Sequence, residues 1–137
     1  MKKLSDFIEK NEVEYNVDRI SSDEISSVSK ETDVKFGDQL IKYILHCGYL
    51  AFKSIEFYGI NSRQGLNSNM IRQTKYLHKY FPCTRPFVAL ENHGEGDYFL
   101  VDGRDNVFEF IPEHDSELKD TGKKLFEHIL SRFEEES

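Results

Sequence analysis

The sequence predicts an α+β domain, with a mainly antiparallel sheet of about five to six strands flanked by N-terminal, middle and C-terminal helices. Three observations carry that expectation. Residues 86–112 (PFVALENHGEGDYFLVDGRDNVFEFIP) hold three short apolar-aromatic runs joined by two Gly-containing polar turns, the pattern of consecutive antiparallel strands. Residues 37–48 and the last twenty residues carry apolar side chains at helical spacing. The elements also come in blocks, helices before strands, with no regular β-α alternation.

Taken in order, residues 2–10 place Leu4, Phe7 and Ile8 at helical spacing, and residues 12–20 read as extended or irregular. Ser22 stands before Asp23 and Glu24, whose charges suit the positive end of a helix that runs to about Thr32. In GDQLIKYILHCG, the residues Leu40, Ile41, Ile44, Leu45 and Cys47 form a broad apolar stripe, and Gly48 supplies the stop. YLAF and SIEFYGI follow as two strands, then a polar loop over residues 61–69. Ile71, Tyr76, Leu77, Tyr80 and Phe81 line a middle helix that Pro82 ends. After the three strands, a last helix over residues 121–134 buries Leu125, Phe126, Ile129, Leu130 and Phe133.

At 137 residues the chain makes one domain, 1–137. A net charge of −7 opposes generic nucleic-acid binding, because phosphate contacts need a basic footprint. The N-terminus has two lysines but no apolar core of a signal peptide, and no apolar run is long enough to cross a bilayer. The expectation is a cytoplasmic chain in which Cys47 and Cys83 are reduced thiols.

The charges are unevenly placed. Between residues 91 and 117 nine acids face one base, Arg104, a local charge of −8. Between residues 61 and 85 stand Arg63, Arg72, Lys75, Lys79 and Arg85 with no acid, a local charge of +5 interleaved with Tyr76 and Tyr80. Such a basic, aromatic helix has two readings: an RNA-binding patch, or a neighbour of the acidic sheet that pairs with it internally. The whole-chain charge favours the second.

Several motifs offer chemistry. His93, Glu95 and Asp97 have the residue types of an acid–base or metal group, yet all lie in one predicted turn, where Gly94 and Gly96 already have a reason to be. Asp102-Gly103-Arg104-Asp105-Asn106 lacks the twelve-residue ligand spacing of a calcium loop and reads as a hairpin turn. No Cys-x-x-Cys or His-x-x-x-His spacing suggests zinc, and neither a nucleophile elbow nor a phosphate loop occurs. The expectation is a non-enzyme without cofactor or metal.

The ordered combination SDEISSVSKETDVKF, GDQLIKYILHCGYLAF, IEFYGI and VALENHGEGDYFLVDGRDNVFEFIPEH resembles the SUKH superfamily, and the resemblance implies a domain core over about 22–133. It departs from the usual pattern before the second helix, where Val34-Lys35-Phe36-Gly37 replaces a common Leu-Pro. The resemblance implies an immunity protein that binds and neutralises a cognate toxin domain of a bacterial polymorphic or contact-dependent system, often a nuclease; some relatives serve as regulatory scaffolds. An acidic surface suits a basic nuclease, since opposite fields speed association and aromatics anchor interfaces. The candidate partner-binding residues are therefore Tyr58, Glu95, Asp97, Tyr98, Asp102, Asp105, Glu113 and Asp115.

Overall fold

The computed structural model describes residues 1–15, 20–60, 68–94, 96–113 and 117–137. Among them the chain runs α1 (Lys2–Lys10), β1 (Glu14–Tyr15), α2 (Ser22–Thr32), α3 (Asp38–His46), β2 (Leu50–Phe52), β3 (Ile55–Phe57), α4 (Met70–Tyr80), a 3-10 turn (Pro82–Thr84), β4 (Val88–Gly94), β5 (Asp97–Val101), β6 (Asn106–Ile111), β7 (Glu117–Lys124) and α5 (Leu125–Glu136). The α+β class is as expected. The single sheet is not: the strands form two antiparallel sheets, β1-β2-β3 and β4-β5-β6-β7. They meet where the Tyr58 N–H, just past β3, donates to the Leu90 carbonyl of β4 at 2.9 Å.

The seventh strand is the main omission. Residues 117–124 (ELKDTGKK) lack the β-branched and aromatic content that marks a strand, so the last helix was expected to begin at Thr121. They pair with β6 as an edge, and lysines on a solvated edge discourage pairing with another chain. Helix α5 starts only at Leu125, where the apolar stripe Leu125, Ile129 and Phe133 begins to be buried.

Local sequence explains most of the helices. Ser21, not Ser22, caps α2: its Oγ accepts from the Glu24 N–H at 3.2 Å, and the Glu24 carboxylate accepts from the Ser21 N–H at 3.4 Å, a reciprocal capping box. In α3 the buried positions are Leu40, Tyr43 and Ile44, with Cys47 one turn on, while Leu45 points outward. The buried face of α4 is Met70, Thr74 and Leu77; Tyr76 and Tyr80 are 48% and 58% exposed and line the opposite face, contrary to expectation.

Strand register sorts the four-stranded sheet into two faces. Glu91, Phe99 and Glu109 are cross-strand neighbours on β4, β5 and β6. This is the α5 face, because Arg132 binds Glu91 and His128 packs on Phe99. One residue along, Asn92, Tyr98 and Phe110 lie side by side on the other face. There Gln73 of α4 meets Tyr98, and Phe81 packs edge-on against Phe110 at 5.2 Å. Beneath α5, Phe133 stands 5.5 Å from the ring centroids of Phe7, Phe52 and Phe57, gathering α1, β2 and β3 onto one helix.

Helix α3 lacks a cap of its own, since Gly37 has no side chain to give. The missing acceptor comes from 66 residues downstream: Asp105 accepts from the Gln39 and Leu40 N–H groups, each at 3.0 Å. Gly37 is what admits it, for a Cβ there would lie 2.5 Å from the Asp105 carboxylate. Asp105 itself sits at φ 66 in the β5–β6 turn. Asp105→Ala should therefore destabilise the fold by about 1–3 kcal/mol in urea denaturation. Gly37→Ala should also destabilise, but less so once Asp105 is already alanine, because the clash has gone. Full additivity of the two would contradict this capping arrangement.

Candidate functional site

A groove opens on the α4 side of the seam between the sheets. Its walls are Glu56, Tyr58, Gln73, Asn92 and Tyr98, and its volume is about 420 Å³. Strand alternation puts Glu56 and Tyr58 on this side and turns Ile55 and Phe57 to the core. Both main-chain groups of Tyr58 are held: its N–H by Leu90, its carbonyl by the Tyr43 hydroxyl, which donates at 2.7 Å. The Tyr98 hydroxyl donates to Gln73 Oε1 at 3.1 Å. Glu56 is set in place from two directions, accepting from the Tyr49 hydroxyl at 3.3 Å and from Ser68 Oγ.

Among the described residues that wall this groove, Glu56 is the one with a formal charge. Burial pushes the Tyr58 phenol well up, and Tyr98, Glu56 and Glu91 add to the shift. Burial also raises Tyr98, with Tyr76 adding and a hydrogen bond from Asn92 acting against it. Tyr49 is pushed up to about 12, by burial first and then by Glu56. All three phenols are thus neutral at ordinary pH. On the exposed face of α4, Tyr76 and Tyr80 tilt against each other with centroids 5.1 Å apart, and Lys79 lies 5.3 Å above the Tyr80 ring.

The structure brings together only part of the expected partner-binding set. Tyr58 and Tyr98 share the groove. Asp97 opens β5, half-buried and paired with Gly94 at the β4–β5 hairpin. Glu113 is exposed after β6, at the same end of the sheet. Asp102 and Asp105 are at the other end, and both carboxylates are engaged within the chain. Asp102 accepts from the Arg104 and Asn106 N–H groups at 2.9 Å and from Asn106 Nδ2 at 3.1 Å, which holds the hairpin turn closed. Asp105 is buried as the cap of α3. Glu95 and Asp115 lie outside the described residues.

Other acids of the sheet are internal as well. Glu91, only 2% exposed, takes a two-pronged contact from Arg132 of α5, Nε at 3.1 Å and Nη2 at 2.6 Å. Among the described residues His93 meets Glu109 rather than Asp97: its Nε2 stands 3.0 Å from Glu109 Oε2, and its ring lies 4.4 Å from that of Phe99. Beside them is His128, buried against Phe99 with its Nε2 lacking a hydrogen-bond partner. Among the described residues the basic helix does not pair with the acidic sheet as expected, and its ion pair there is Lys75 with Glu31 of α2, at 2.5 Å. Arg72, Lys79 and Arg85 are exposed, and Arg63 lies outside the described residues.

Cys47 is buried, its thiol pushed up to about 11 by that burial, while Cys83 is exposed. No group of metal-ligating side chains converges among the described residues, and no helix there is long and apolar enough to cross a membrane. Sequence reasoning missed Glu56, Gln73 and Asn92 as groove residues. Glu56 had a usable signal, standing two residues before Tyr58 in a run whose other positions are apolar. Gln73 and Asn92 had none, because α4 and β4 meet only in the folded chain.

A family model, SUKH_5, described as SMI1-KNR4 cell-wall, matches residues 1–134. No curated protein matches the chain.

The buried histidine gives a pH dependence. Burial first, then Arg132, Lys123 and His93, lower His128 from 6.5 to about 3. A histidine depressed in the folded state favours folding above its unfolded value, and that contribution fades as pH falls from 6.5 toward 3. Lowering pH from 8 to 5 should cost about 2 kcal/mol through this group. Urea denaturation of a His128→Gln variant should show a correspondingly flatter profile in that window; an equal acid loss in both proteins would contradict it.

Proposed function

This chain belongs to the SUKH_5 family, and we propose that it is a non-catalytic protein-binding module of the immunity type. It holds a cognate toxin domain, a basic nuclease, through the groove face and thereby neutralises it in the cell that makes both. The observation that carries this reading is the pairing of Tyr58 and Tyr98 in one concave site whose described lining also holds the Glu56 carboxylate. Asp97 directly follows Gly96 in the hairpin beside it. Tyr58 and Tyr98 are already 4% and 7% exposed in the free chain, so they fix the shape of the surface that a partner meets. Carboxylates at the rim attract the Lys and Arg side chains with which a nuclease grips phosphate.

A regulatory scaffold that binds other host proteins is the second reading, favoured by the SMI1-KNR4 cell-wall description of the family. Calorimetry against the C-terminal domain of a large toxin encoded beside this gene separates the two. One-to-one, salt-sensitive binding is the expected result. Tyr98→Ala should weaken it by about 2 kcal/mol or more, through loss of the shape it fixes. Asp97→Lys should slow association, most visibly at low salt. Absence of binding transfers the assignment to the scaffold.

A further inference from the structure

We propose that the exposed face of α4 docks an acidic segment of the bound partner, with Tyr76 and Tyr80 as its anchors. This rests on the protein-binding reading above and adds a second contact beside the groove. Tyr76 and Tyr80 are 48% and 58% exposed, so each has about half its surface left to bury against a partner. Tyr58 and Tyr98, already buried, have little to give. Arg72, Tyr76 and Tyr80 stand four residues apart in one row along the helix, and Lys75 and Lys79 form the row beside it. All five are exposed, and Arg85 extends the surface beyond the end of the helix. Tyrosine and arginine are the residue types on which protein interfaces most often depend.

Charge selects the occupant. From residue 61 to residue 85 the sequence holds no Asp or Glu, so the undescribed stretch 61–67 brings a base, Arg63, and no carboxylate. Among the described residues the ion pair of this face is Lys75 with Glu31, and Arg72, Lys79 and Arg85 have no carboxylate partner there. Carboxylates of a partner complement such a face, and the planar fork of an arginine binds them two-pronged. Nucleic acid fits less well. A phosphate backbone gathers cations along its whole length, and this chain carries −7. The two rings, tilted at 50° with centroids 5.1 Å apart, also leave no space between them for a base. Arg72 adjoins Gln73 and Asp97 adjoins Tyr98, the two residues whose hydrogen bond spans the groove wall. Basic and acidic groups thus both lie within a residue of the groove. A partner of matching polarity has one favoured orientation, because the reversed pose sets like charges together.

Two arms test this on the intact chain. In the first, NMR follows a titration with decaglutamate. Backbone amides over residues 72–85 should shift saturably, and the double variant Arg72→Glu/Lys79→Glu should weaken the response at least about tenfold. Lys42→Glu, at an exposed position of α3, should leave it unchanged. An absent response, or one that Lys42→Glu weakens as much as the double variant does, overturns the docking face. Decauridylate bound more tightly over the same residues assigns the face to nucleic acid and overturns the polypeptide occupant. In the second arm the cognate toxin domain replaces the peptide. Tyr80→Ala and the double charge variant should each weaken its binding at least about tenfold. Toxin binding indifferent to both, while Tyr98→Ala still weakens it, leaves the groove reading standing and overturns the α4 contact. No toxin binding at all, with the decaglutamate response intact, overturns the immunity reading while upholding the acidic docking face.

Discussion

The main-chain bonds at Tyr58 are the constraint on which the groove depends. With its N–H on Leu90 of β4 and its carbonyl on the Tyr43 hydroxyl of α3, this residue stitches the three-stranded sheet to the four-stranded one. Because strand side chains alternate, fixing Tyr58 also fixes Glu56 toward α4 and Phe57 toward α5. The polar wall of the groove and the aromatic cluster around Phe133 are thus two consequences of one register. A slip of one residue would exchange them, placing a carboxylate in the core and a phenylalanine in the groove.

Around that seam the helices are held by groups borrowed from distant parts of the chain. Asp105 caps α3, and Gln39 of α3 in turn accepts from the Phe126 N–H at 2.9 Å, capping α5. Helix α5 then returns Arg132 to Glu91 on β4. Each link satisfies N–H or charged groups that would otherwise be buried at a cost, so the three contacts couple the hairpin turn, both helices and the sheet. The acidic stretch is divided by this arrangement. Glu91, Asp102, Asp105 and Glu109 are committed to internal partners, whereas Asp97 and Glu113 stay at the hairpin end.

What could be read from the sequence follows the range of the interactions. Helices and aromatic strands were legible because their signal is periodic and local, and the start of α2 was legible to within one residue, Ser22 being read where Ser21 makes the cap. The edge strand β7 was not, because ELKDTGKK owes its extended form to pairing with β6 rather than to its composition. Tyr76 and Tyr80 were assigned to the core of α4 for being aromatic; Thr74, whose hydroxyl accepts from the Ala89 N–H, takes the buried position instead. For the site, Tyr58 and Tyr98 were legible as strand aromatics, but Gln73 and Asn92 join them only through tertiary contact. Asp105 shows the limit most clearly. An acid in a Gly-containing turn looks outward in sequence, and only the cap it makes 66 residues away reveals otherwise.

The account turns on where the partner sits, and hydrogen–deuterium exchange of the chain with and without its bound toxin domain measures that directly. It predicts new protection confined to the segments around the groove: residues 55–60, the α4 helix, and the hairpin end of β4 and β5. Protection concentrated instead on α1, or on the β5–β6 turn around Asp102 and Asp105, with the groove segments unchanged, would contradict it.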